Sequence, residues 1–132
     1  MIKKVVSNKR LIALIINKRF KSNGIKFFTN DNDPQQIGYM NRPKNYIVKP
    51  HKHLKVLRKI NKTQEVLFIK QGKVKIDLYN NNGKFISNHI LSSGDIIFLA
   101  SGYHGLKMLK KTEIIEVKQG PYSKKRDKSF LI

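Results

Sequence analysis

Lys73-Val74-Lys75-Ile76-Asp77-Leu78-Tyr79-Asn80-Asn81-Asn82-Gly83-Lys84-Phe85-Ile86-Ser87-Asn88-His89-Ile90-Leu91 decides the fold class. Val74, Ile76 and Leu78 alternate with Lys73, Lys75 and Asp77, the period of two that a strand shows when one face is dry and the other wet. Asn80 to Gly83 carries turn residues, and Phe85 to Leu91 returns as a second strand, so the stretch predicts a hairpin. The same punctuation recurs on both sides. Gln71-Gly72 separates a strand Glu65 to Lys70 from Lys73 to Tyr79, and Ser92-Ser93-Gly94 precedes the apolar run Ile96 to Leu99. Gly102 opens Tyr103 to Leu109, and Lys110-Lys111 turns into Thr112 to Lys118. Upstream, Arg10 to Asn17 and Ile25 to Thr29 read as strands split by Asn23-Gly24, with Asp31 to Pro34 as a loop. No stretch of a dozen residues keeps apolar positions at i, i+3, i+4 and i+7 between caps. Short strands at this spacing predict an all-β sandwich or barrel.

The length of 132 residues suits one domain, with Ser123 to Lys128 as a charged, loosely held tail. There is no cysteine, which excludes disulfides, thiolate metal sites and thiol nucleophiles, so a metal would be held by nitrogen and oxygen. The longest apolar run near the N-terminus, Leu11 to Ile16, is far shorter than the ~20 residues that span a bilayer. Asn17, Lys18 and Arg19 follow it where a signal peptide would carry small residues, and the expected location is the cytoplasm, with no membrane partner.

A net charge of +20 points first to a polyanion. Of the 28 basic residues 23 are Lys and five Arg, and Ile (17) and Asn (12) are also abundant, three residue types with AT-rich codons. Phosphate recognition favours the fork of Arg, and the basic residues run from Lys3 to Lys128 without a concentrating element. A solvated basic surface, with no nucleic-acid partner, is the expectation.

Four histidines are present, and His51 and His53 are spaced i, i+2. On a strand this puts both imidazoles on one face, ~7 Å apart along the backbone. Glu65 shares a face with Leu67 and Ile69, and His104 with Leu106 and Met108, so strands that bury those apolar residues point a carboxylate and an imidazole inward. Such groups need a partner, which a divalent cation supplies. By spacing alone, a surface or hydrogen-bonded role fits these residues equally well. His89 has no acidic or histidine neighbour in register and reads as structural or exposed.

At these residues the chain resembles the cupin superfamily. A His-x-His pair, a Glu and a turn glycine are matched by His51, His53, Glu65 and Gly72. A second motif, a glycine, a buried strand, a turn and a third His, is matched by Gly94 to Leu99, Ala100-Ser101-Gly102-Tyr103 and His104. The resemblance covers Pro50 to roughly Lys118, and Leu54 to Gln64 makes a longer link between the second His and the Glu than the family's. Gln35 to Met40 and Glu116 to Tyr122 are similar to a branch of small bacterial cupins, some of which lie among sugar and surface-polysaccharide genes. The resemblance implies a single-domain jelly-roll β-barrel, with N-terminal strands over 1–35, a barrel core over 36–119 and a tail over 120–132. It implies Fe, Mn, Ni, Cu or Zn held by His51, His53, Glu65 and His104. A homodimer through Arg10 to Asn17 is implied as well.

The expected function is that of a metal-dependent enzyme, an isomerase, epimerase or oxygenase, acting on a small polar substrate such as a sugar derivative. A ligand-binding or sensing cupin without catalysis is the alternative, and fold alone does not separate the two; a basic accessory protein that binds nucleic acid is the third and least favoured reading. Arg58 is a candidate anchor for an anionic substrate group, and Tyr39, Tyr103 and Gln64 are candidate acid/base or positioning groups. A solvated role for Arg58 and packing roles for the other three compete with these.

Overall fold

A computed structural model describes residues 1–125 and 128–131, and among them every regular element is a strand. In chain order these are β1 (Ile2–Ser7), β2 (Arg10–Ile16), β3 (Gly24–Phe27), β4 (Gly38–Asn41) and β5 (Glu65–Gln71). They continue with β6 (Lys73–Tyr79), β7 (Phe85–Ser92), β8 (Ile96–Leu99), β9 (Tyr103–Met108) and β10 (Glu113–Lys118). The all-β expectation holds. No helix among the described residues is long and apolar enough to cross a membrane. The chain divides into two compact units, Met1–Phe20 with Thr63–Ile132, and Lys21–Lys62.

The larger unit holds an antiparallel five-stranded sheet, β1-β2-β8-β5-β10, and a three-stranded sheet, β7-β6-β9. Their inner faces share one core. Val74, Ile76 and Leu78 are fully buried from β6, and Ile15, Leu67 and Ile97 meet them from the other sheet. The period of two in β6 is thus realised as written, with Lys73, Lys75 and Asp77 turned away from the core. β2 is buried continuously from Ile12 to Ile16, as a central strand covered on both faces should be. Among the described residues no ladder joins the sheet edges, so the closed barrel expected from the sequence is here an open sandwich.

The predicted hairpin forms around Asn80, whose N–H and carbonyl bond Lys84 and Gly83, while its side-chain oxygen accepts from Asn82 and Lys84 N–H. The strand β1 was not expected. It pairs with β2 through a two-residue turn, Asn8-Lys9, with both residues at positive φ (51° and 62°). That turn normally calls for glycine, so Asn-Lys gives little warning of it. It also makes β1 the sheet edge and leaves β2 inside, with both hydrogen-bonding sides occupied by β1 and β8.

Asp95 ties the start of β8 to two other segments. Its two carboxylate oxygens accept Lys18 N–H at 2.8 Å and Ser92 N–H at 2.9 Å, and the residue is 5 % exposed. Asp95→Ala leaves both donors without their partner and is expected to cost about 2 kcal/mol. Urea unfolding should show a lower midpoint with an unchanged slope.

In the smaller unit β3 and β4 form a short antiparallel hairpin, Gly24 opposite Asn41 through Phe27 opposite Gly38. The expected loop Asp31 to Pro34 lies between them. It is knitted by Thr29 donating to Gln36 Oε1 (2.7 Å) and by Gln36 Nε2 donating to the carbonyls of Asn30 and Asp33.

Candidate functional site

Alternation in β5 buries Glu65, Leu67 and Ile69 together, so the strand that packs two aliphatic side chains also carries a carboxylate to the inner face. β9 sits opposite β6 with His104 against Leu78, Leu106 against Ile76 and Met108 against Val74, which places His104 on the inner face of the other sheet. The two strands thereby bring the side chains together. His104 Nε2 lies 2.9 Å from Glu65 Oε1, with side-chain exposures of 32 % and 12 %.

A third group completes this cluster. In β10, Lys118 is opposite Glu65 and Glu116 opposite Leu67, and Glu116 shares a hydrogen bond with Glu65. Burial alone would raise the Glu65 pKa. Hydrogen bonds to His104 and Glu116, with the charges of His104 and Lys118, outweigh burial and hold it at about 2. The Glu116 pKa moves up, first through the hydrogen bond with Glu65, then through burial and the Glu65 charge. The two carboxyls thus shift in opposite directions, Glu65 toward its ionised form and Glu116 toward its protonated form.

This cluster opens on a cavity of about 610 Å³ whose lining includes Thr63, Tyr79, Ser101, Tyr103 and Lys118. Tyr103 begins β9 opposite Tyr79 and brings its ring to the same cavity as Glu65 and His104. Gln64 is 1 % exposed. Its N–H donates to Gln119 Oε1 (2.6 Å) and its side-chain amide to the Ala100 carbonyl (3.4 Å), which anchors the chain just before Glu65.

The remaining candidates belong to the smaller unit. His51 and His53 have ring centroids 5.5 Å apart in an edge-on arrangement, and both are exposed. His51 Nδ1 is 2.7 Å from the Lys49 carbonyl, which the N–H tautomer at that nitrogen satisfies. The strand on which the i, i+2 argument relied does not form; no strand is assigned between β4 and β5. Pro43 and Pro50 have no N–H to give a ladder, and Leu54, Val56, Leu57 and Ile60 do not alternate. Tyr39 lies in β4 opposite Lys26. Arg58 lines an open cleft of about 780 Å³ with Asp31, Asp33 and Lys62, the last two 4.0 Å apart. His89, opposite the buried Ile76, is within 2.9 Å of Ser87 Oγ, and burial followed by the Lys3 charge lowers its pKa.

A carboxylate oxygen and an imidazole nitrogen are suitable donors for a divalent transition metal. Glu65 and His104 fit as two such donors. Catalytic zinc sites typically have three protein ligands, and within neither unit do three His, Asp or Glu side chains among the described residues gather where one ion could touch them all. Glu116 and Lys118 were not expected at the site. In sequence Thr112 to Lys118 is a strand with scattered charges, and only its pairing with β5 reveals that Lys118 lies opposite Glu65 and Glu116 opposite Leu67. The chain matches no family model, no curated protein and no solved structure.

Proposed function

We propose that the protein is a single-domain, jelly-roll cupin of the cytoplasm that binds a small polar molecule, such as a sugar derivative, in the cavity beside Glu65 and His104. One observation carries the reading: a largely buried carboxylate and an imidazole, from facing sheets, meet at 2.9 Å in the wall of a cavity large enough for a small molecule. Tyr103, Tyr79 and Ser101, the last with its hydroxyl donated to the Leu11 carbonyl at 2.6 Å, line the same wall. The cavity thus combines an acid/base pair with neutral hydrogen-bonding groups, the mixture that a polyhydroxylated ligand uses.

The proposal includes metal-dependent catalysis. Glu65 and His104 would hold a divalent transition metal, with His51 and His53 entering from the sequence resemblance alone. Such an ion supplies Lewis acidity toward a carbonyl or activates a bound water. The residues of the cavity bind and orient the substrate, and Tyr103 holds a hydroxyl proton beside it. Arg58 as an anion anchor and Tyr39 as an acid/base group stay within the proposal on sequence grounds. So does the homodimer, for which the free edge of the N-terminal region is β1 rather than β2.

A second reading, ligand binding without catalysis, is favoured by the mutual satisfaction of Glu65 and His104, which need no ion to be paired. Elemental analysis separates the two. After reconstitution with each of Fe, Mn, Ni, Cu and Zn, the metal reading expects about one ion per chain, reduced at least tenfold by His104→Ala and by His51→Ala. Protein that retains no ion after reconstitution would leave only the ligand-binding reading.

A further inference from the structure

The segment 42–62 in the smaller unit combines two properties that oppose one another in water. It carries eight basic residues, Arg42, Lys44, Lys49, Lys52, Lys55, Arg58, Lys59 and Lys62, and no Asp or Glu. Every residue in it is exposed, and no strand is assigned to it. The exposed residues include large apolar ones: Ile47 is 77 % exposed, Leu54 74 %, Leu57 99 % and Ile60 49 %. Single exposed aliphatic side chains are ordinary, but several on one short stretch mark an interaction surface.

The order of the residues shows what kind of surface. On a helix of 3.6 residues per turn, Leu54, Leu57, Ile60 and Val56 fall within an arc of ~160°, and Lys52, Lys55, Arg58, Lys59 and Lys62 within ~120° of the opposite side. From His51 to Lys62 there is no Gly or Pro, and Pro50 stands immediately before, where a helix start tolerates it. A helix of about twelve residues is marginal in water, which accounts for the irregular backbone here. An apolar arc backed by a basic arc, with low overall hydrophobicity, is the pattern of helices that lie in the plane of a lipid interface.

Other occupants fit less well. A second copy of the segment would set eight positive charges against eight more. Nucleic acid would engage the basic arc but leave Leu54, Leu57 and Ile60 in water, and the segment has a single Phe, Tyr or Trp, Tyr46, and six Lys to two Arg. An acidic protein groove requires a preformed complementary shape, whereas a fluid anionic interface accepts the helix without one.

We propose that residues 52–62 form an amphipathic helix on an anionic lipid surface and attach the protein to it peripherally. The expectation of no membrane partner rested on spanning length, which a surface helix does not need. The inference is independent of the Glu65–His104 cavity.

The test uses the full chain and sedimentation with phosphatidylglycerol-containing or pure phosphatidylcholine vesicles. Binding to the former, weak or no binding to the latter, and a helical gain in far-UV circular dichroism are expected. Leu54→Gln/Leu57→Gln keeps every charge and alters only exposed side chains. It should weaken vesicle binding ~tenfold or more, while Lys55→Gln/Lys59→Gln should weaken it about fivefold per charge. No binding to the anionic vesicles would overturn the proposal. So would vesicle binding unchanged by the leucine pair, or binding confined to duplex DNA or RNA.

Discussion

Gly102→Ala is expected to destabilise the protein by about 3 kcal/mol or more, enough to unfold a marginal domain at modest temperature. Gly102 has φ +79°, a region where an L side chain is disfavoured by ~1–2 kcal/mol. A Cβ there would also collide with the backbone carbonyl oxygen of Tyr79 and come within 3.4 Å of Ile12 Cδ1. The first of these is a backbone atom of β6 and cannot swing away. The register in which Tyr79 faces Tyr103 and Leu78 faces His104 depends on this close approach, so the substitution strikes both stability and the cavity wall. Gly105, three residues later, has nothing within 4 Å of its Cβ position. Gly105→Ala should therefore lie within about 0.5 kcal/mol of the parent. Comparing the two by denaturant unfolding separates the backbone requirement at Gly102 from any general effect of adding a methyl group to β9.

The second large effect is a dependence of stability on acid. The Glu65 pKa falls from the ordinary 4.5 to about 2 in the folded protein, so its stabilising contribution is complete above pH 4.5 and lost as pH falls toward 2. A shift of that size corresponds to at most about 3 kcal/mol. Glu116 works in the opposite sense. Its pKa is raised, so its contribution is present below the ordinary value and fades as pH rises through the folded value, which offsets part of the Glu65 effect. The net expectation is a steep loss of stability between pH 4.5 and 2. Glu65→Gln removes the ionising carboxylate and its charge beside Glu116, so the variant should unfold at a denaturant midpoint that varies much less across that window.

Much of the larger unit was legible because its strands obey a period of two and its turns use glycine where the backbone demands it. Gly72, Gly83, Gly94 and Gly102 all adopt positive φ, and each was read as punctuation. The inward direction of Glu65 was legible for the same reason, since Leu67 and Ile69 share its face. The N-terminal strand β1 was missed because Lys9 occupies a left-handed position that lysine does not announce. Closure of the sheets was also beyond the pattern, because alternation says which face is dry but not whether the edges of two sheets pair. Glu116 escaped notice because a charged residue on a strand reads as wet unless its partner strand is known. For His51 and His53 the i, i+2 spacing has meaning only on a strand, and Pro43, Pro50 and the lack of alternation from Leu54 to Ile60 prevent one.

The functional reading depends on Glu65 being ionised and held by His104 at the cavity. A carboxyl-carbon NMR titration of the Glu65 side chain observes this directly. The midpoint should lie at about 2 in the parent protein and move toward the ordinary carboxylate range in His104→Ala. A midpoint near 4.5 in the parent, unmoved by His104→Ala, would contradict the account.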